Sequence, residues 1–219
     1  MYGMRTRLLY LTRHGEQDLT GHADTGSAEP DTGLSERGRR QAALLAERLR
    51  GRPFAAVHHG PLRRAAQTAE VVAAALPGVP VYATELAGDH LPHDTDPAGL
   101  PPAYAEFLAG FSTAERADGP RVTAAAVRRF AGPVADDGGA AGGEPVRELV
   151  VTHTFLIAWL VRQALDAPER RWLGSNHHNA GLTVIRYGPA GPPNLIAVND
   201  VAHLPAELRG TGLPPDYLV

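Results

Sequence analysis

Three short apolar runs each break off into a cluster of histidine and arginine, and this pattern limits most strongly what the chain can become. Leu8-Leu9-Tyr10-Leu11 leads into Arg13-His14-Gly15-Glu16. Phe54–His59 leads into Gly60-Pro61-Leu62-Arg63-Arg64, and Leu149-Val150-Val151-Thr152 leads into His153-Thr154. Short apolar runs bounded by turn residues read as buried strands. Helical patterns lie between them. Ser35 can cap a helix that runs to about Arg50, with Ala42, Leu45, Ala46 and Leu49 on one face and Gly51 closing it. A second helix spans Leu62–Leu76 and stops at Pro77-Gly78.

The rest of the chain continues the alternation. Val79–Ala83 reads as a weak strand, and Ala103–Phe111 and Val122–Phe130 as helices. Phe155–Leu165 is an apolar helix, and Leu182–Tyr187 and Leu195–Val198 are late strands. Glu16–Gly33 and Gly88–Pro102 read as irregular loops, and Asp136–Pro145 as an exposed, mobile connection. Strands alternating with helices imply an α/β fold, a three-layer α/β/α sandwich around a mostly parallel sheet. Too little chain follows Asp136–Pro145 for a second core, so residues 1–219 are expected to form one domain.

In a parallel sheet the three polar clusters converge, because ligands of open α/β sheets bind beyond the carboxyl ends of the strands. A lone histidine at a strand end is commonly a capped or surface residue; three such clusters on one edge are not. Arginine is permanently charged and offers a planar donor fork that fits phosphate oxygens. A neutral histidine can attack phosphorus and form a covalent intermediate. Neighbouring guanidinium charge keeps that imidazole unprotonated and stabilises the transferring phosphoryl group, an effect of about 10³–10⁵ in rate elsewhere.

Composition removes the main competitors. The chain has no cysteine, so disulfides, thiolate metal sites and cysteine nucleophiles are excluded. All 21 basic residues are arginine, which excludes Schiff-base and P-loop lysines. A net charge of −3 gives no global reason to bind nucleic acid or an anionic membrane. The longest apolar stretch, Phe155–Val161, is far short of the roughly 20 residues that cross a bilayer, and Met1–Thr12 lacks a secretory apolar region. A cytoplasmic location is the expectation from these features.

The blocks Leu11-Thr12-Arg13-His14-Gly15-Glu16, Leu34-Ser35-Glu36-Arg37-Gly38, Pro61-Leu62-Arg63-Arg64-Ala65-Ala66-Gln67-Thr68 and Leu149-Val150-Val151-Thr152-His153 stand in one order over about residues 8–160. The ordered set resembles the histidine phosphatase superfamily, the phosphoglycerate-mutase-like enzymes, and within it the serine/threonine protein phosphatases. The resemblance implies the phosphoglycerate-mutase-like fold and a hydrolase that cleaves phosphomonoesters through phosphohistidine, with no cofactor and no metal. It implies His14 as nucleophile and Arg13, Arg64 and His153 as phosphoryl ligands, with Arg64 rather than Arg63 in the matching position. The general acid falls on Asp89 or Glu85, and the alignment of the Pro-rich loop at Leu91–Pro97 favours Asp89. Thr154, whose N–H begins a helix, and Gln17 are further candidate phosphate ligands. A phosphorylated small molecule or a phosphoprotein is the implied partner. A mutase, or an impaired phosphate-binding scaffold, is the alternative. The histidines His58, His59, His90, His93, His177 and His178 could supply a metal, but none shows the helical i, i+4 spacing of a metalloprotease.

Overall fold

The computed structural model describes residues 3–20, 31–135 and 144–210. Its main sheet has six strands in the order β4-β3-β6-β2-β7-β8. These are β2 (Arg7–Arg13), β3 (Phe54–His59), β4 (Val81–Ala83), β6 (Val146–Thr152), β7 (Leu182–Tyr187) and β8 (Asn194–Asp200). β4, β3, β6 and β2 pair in parallel, and β7 runs against both β2 and β8. The sheet is therefore mixed, with β7 alone reversed. A small two-stranded ribbon of β1 (Met4–Arg5) and β5 (Val134–Ala135) lies apart; neither strand carries enough apolar pattern to be foreseen.

The central strands are apolar on both faces because helices cover both. On β2, Leu9 and Leu11 enter one core while Tyr10 enters the other. On β6, Val150 faces the side of Leu9 while Leu149 and Val151 face the side of Tyr10. Helices α1 (Glu36–Leu49) and α2 (Arg63–Ala73) fill the Tyr10 side with Leu45, Leu49 and Val72. Helices α4 (Thr113–Phe130) and α5 (Thr154–Ala164) fill the other with Phe130, Ile157 and Leu160. A third, smaller core of Leu91, Leu108, Ala158 and Trp172 seats the Pro-rich loop and α3 (Pro102–Ala109) against α5.

Ser35 caps α1 as expected, its hydroxyl accepting from the Gly38 N–H, and Gly51 follows at φ 72°. Helix α4 departs from expectation by starting nine residues early. The expected helix begins only at Val122, after Gly119-Pro120, yet a Ser112–Glu115 capping box starts it upstream and carries it through Pro120. Gly119 has a packing reason: a Cβ there would stand 2.3 Å from the Leu91 carbonyl oxygen. The proposed connection Asp136–Pro145 and the middle of the Glu16–Gly33 loop fall at 136–143 and 21–30, outside the described residues.

Candidate active site

The strand ends bring Arg13, His14, Asp89, His153 and Thr154 to one cleft of about 660 Å³ at the carboxyl edge of the sheet. His14 follows β2 and is 4% exposed. Its Nδ1 lies 2.7 Å from the Gly15 carbonyl oxygen, which can only accept, so the proton sits on Nδ1. Arg64, the second residue of α2 and 2% exposed, donates from Nε to His14 Nε2 at 3.1 Å. Its Nη2 reaches Asp89 Oδ2 at 3.2 Å. Arg63 faces outward instead, its backbone N–H bound to Asp31. The His153 ring stands 4.9 Å from that of His14, and its Nδ1 is 3.3 Å from Asp89 Oδ2.

Local packing explains why these groups stay in place. The His14–Glu16 turn presses on α1 so closely that a Cβ on Gly38 would fall 2.1 Å from the Glu16 carbonyl oxygen. The Gly15 N–H donates to Thr68 Oγ1, and that hydroxyl donates to the Arg64 carbonyl, joining β2 to the first turn of α2. Asp89 is positioned by the segment before it. Thr152 Oγ1 donates to the Ala87 carbonyl at 2.8 Å, and a Cβ on Gly60 would strike that same oxygen at 2.4 Å. This backbone approach leaves no room for a side chain at position 60.

Glu85 lies elsewhere: its carboxylate is 72% exposed and 3.9 Å from His90. Gln17 and Thr154 both line the cleft. Thr154 Oγ1 and both ring nitrogens of His153 have no hydrogen-bond partner among the described residues, so the cleft wall offers polar atoms to a guest.

The segment Asn176–Ala180 that enters β7 also contributes, although the sequence reading takes its His177 and His178 only as candidate metal ligands. The His177 carbonyl accepts from Arg13 Nη1 at 2.9 Å, and Asn179 Nδ2 donates to the His14 carbonyl at 3.1 Å. The Ala180 N–H donates to the Arg13 carbonyl at 3.0 Å. The reversed β7 presents its beginning at this edge, and the polar run Ser175–Asn179 just before a strand is the signal the sequence carries.

The other histidines scatter. His58 is buried with Glu148 and Arg129, where, against the cost of burial, His58, Arg129 and Arg7 hold the Glu148 carboxyl down at about 2. His59 bonds the Gly60 carbonyl, His90 the Glu85 carbonyl, and His93 stacks on Trp159. Among the described residues no group of three or more His, Asp or Glu side chains is placed to hold a metal ion.

Burial, more than charge, keeps the site imidazoles neutral. His14 is lowered well below 6.5 first by desolvation, then by His153, Arg13 and Arg64, whereas the sequence reading names the guanidinium charges alone. Desolvation also takes His153 down to about 4, against the pull of Asp89, and takes His177 to about 4. Between pH 6.5 and 4 these two rings bind protons in the unfolded chain and not in the folded one. Stability is therefore expected to fall as pH drops through that window, by up to about 1.4 kcal/mol per unit for each ring. Urea denaturation at pH 7 and pH 5 checks this, with His177→Asn flattening the dependence.

The fold and cleft define an α/β protein with a buried histidine pair and arginines at the carboxyl edge of a mixed sheet, a setting suited to an oxyanion. The family model described as histidine phosphatase superfamily (branch 1) matches residues 9–201. The chain belongs to that superfamily, and its fold is the phosphoglycerate-mutase-like one. It is 29% identical over 206 residues to the mouse serine/threonine-protein phosphatase PGAM5, mitochondrial, covering 92% of this chain and 65% of that protein. Among solved structures, Bacillus stearothermophilus YhfR superposes with a TM-score of 0.67 at 26% identity, covering 90% of this chain and 98% of that one. A mycobacterial glucosyl-3-phosphoglycerate phosphatase is also 26% identical, with a TM-score of 0.59, covering 90% of this chain and all of its own.

These relatives correct one expectation. The matching curated proteins from mouse, human, rat and frog are all named mitochondrial, which overturns the cytoplasmic reading. The physical reason is simple: a search for long apolar runs detects secretory leaders and membrane spans and is blind to a mitochondrial address.

Proposed function

We propose that the chain is a phosphatase that hydrolyses phosphomonoesters of proteins or small molecules through a phosphohistidine, acting as one domain. The observation that carries this is the Arg64 Nε to His14 Nε2 hydrogen bond, which fixes a neutral imidazole with its lone pair toward a cationic group at the cleft. The phosphoryl oxygens take the donors of Arg13, Arg64 and His153, with Thr154 and Gln17 at the margin. The Arg64 Nε–H passes from His14 Nε2 to a phosphoryl oxygen, which frees the Nε2 lone pair; His14 Nε2 then attacks in line, the N–P bond forms as the ester P–O bond breaks, and Asp89 gives the departing oxygen its proton. Water then enters, loses its proton to the same carboxylate and attacks phosphorus, and the N–P electron pair returns to His14. Nδ1–H keeps its bond to the Gly15 carbonyl throughout, which stabilises the cationic phosphohistidine.

Hydrolysis is favoured over mutase chemistry by the cleft itself. Among the described residues that line the cleft Arg13 is the only arginine, and beyond the phosphoryl ligands already named no cationic side chain lines it to take the carboxylate of a phosphoglycerate. The serine/threonine-protein phosphatase and the glucosyl-3-phosphoglycerate phosphatase among the relatives support the same class of substrate.

The test is a brief reaction with a labelled phosphomonoester, quenched in base, which preserves phosphohistidine. Label on the protein is expected to outlast the wild-type signal in Asp89→Asn by about 10²-fold, the usual weight of a positioned acid–base group. Glu85→Gln is expected to behave as wild type. The reverse order would transfer the role to Glu85.

A further inference from the structure

Phe155 joins the cleft to an aromatic surface outside it. It lines the cleft beside Thr154 and meets Trp172 edge-on at 5.4 Å and Phe107 at 5.9 Å. Phe107 is 41% exposed, and Tyr104, one turn earlier on α3, is 36% exposed. The Tyr104 hydroxyl lies over Gly174, where a Cβ would stand 2.8 Å away. Two residues further on, Asn176 returns to the cleft wall with an amide Nδ2 that has no hydrogen-bond partner among the described residues. An apolar ledge thus runs from the rim of the cleft outward along α3, with an amide donor at its inner end.

Resting on the phosphatase reading, we propose that this ledge holds a large apolar side chain next to the phosphorylated residue of a phosphopeptide, while Asn176 Nδ2 donates to a peptide carbonyl. The argument for a peptide is one of reach. A small phosphomonoester seated in the cleft makes no use of rings that stand outside it, whereas a phosphorylated side chain brings its neighbours along. A second copy of the chain is a poor occupant. The exposed parts of two rings amount to on the order of 150 Å², against about 800 Å² per partner in a stable interface.

Two phosphoserine peptides that differ only in carrying Phe or Asp beside the phosphoserine test this, with p-nitrophenyl phosphate as a probe that ends within the cleft. Wild-type protein is expected to favour the Phe peptide by about tenfold or more in kcat/KM, the scale of partly burying one ring. Phe107→Ser should bring the two peptides within about threefold of each other and leave p-nitrophenyl phosphate turnover and elution volume unchanged. Equal rates on the two peptides overturn the ledge alone, provided the His14-dependent label still forms. A Phe107→Ser variant that slows every substrate alike, or that dissociates a dimer, overturns it too. So does a short apolar alkyl phosphate turned over as fast as the Phe peptide. No label and no turnover on any probe would remove the phosphatase reading and the ledge together.

Discussion

His14→Ala is expected to lower kcat by about 10⁴-fold or more and to abolish the base-stable label. The size follows from the proposed route: losing the proposed nucleophile removes a whole covalent step, and knockouts of that kind reach about 10⁶ elsewhere. Replacement by the neighbouring imidazole is not available, because His153 sits on the α5 side of the cleft as that helix's N-cap, with Nδ1 turned to Asp89. His14 has its Nδ1–H fixed by a hydrogen bond to the Gly15 carbonyl and its Nε2 held by the Arg64 guanidinium. Rapid-quench turnover with the labelled ester measures both effects. A variant that keeps the label would sink the assignment, since phosphorus would then be bound elsewhere.

Arg64→Ala is expected to cost about 10³-fold or more in kcat/KM. Arg64 does two jobs from one buried position, donating to His14 Nε2 and to Asp89 Oδ2. On the proposed mechanism, its loss leaves His14 without its aim and the phosphoryl oxygens without a planar donor fork that water cannot replace in a desolvated pocket. Arg64→Lys keeps the charge but not the fork, and is expected to recover less than about tenfold of the loss. Melting temperature followed alongside the kinetics separates chemistry from folding. A lysine variant restored to within a few-fold of wild type would show that only net charge matters there.

How much of this was legible beforehand depends on the length scale involved. The elements around the site could be read because a strand buried on both faces is a continuous apolar run, as at Leu149–Val151, and because Ser35 and Gly51 mark helix ends by local chemistry. Helix α4 could not be delimited, since nothing near Gly119-Pro120 in sequence reveals the Leu91 backbone that presses on Gly119. The weight of burial over charge at His14 was equally out of reach, because desolvation is a sum over everything packed around the ring.

The sequence by itself determined which chemistry was on offer: arginine without lysine, no thiol, and histidines set at the ends of strands that local pattern makes nearly inevitable. Tertiary structure alone decided which of these groups meet. Turning β7 against its neighbours brings its first residues to the same edge as the ends of the others, so that Asn179 and the His177 carbonyl brace His14 and Arg13 across more than 160 residues of chain. It likewise put Asp89 beside Arg64 and left Glu85 in solvent, four residues and one 3₁₀ turn away. Strand direction and backbone approach are properties of contacts distant in sequence, and no window of neighbouring residues contains them.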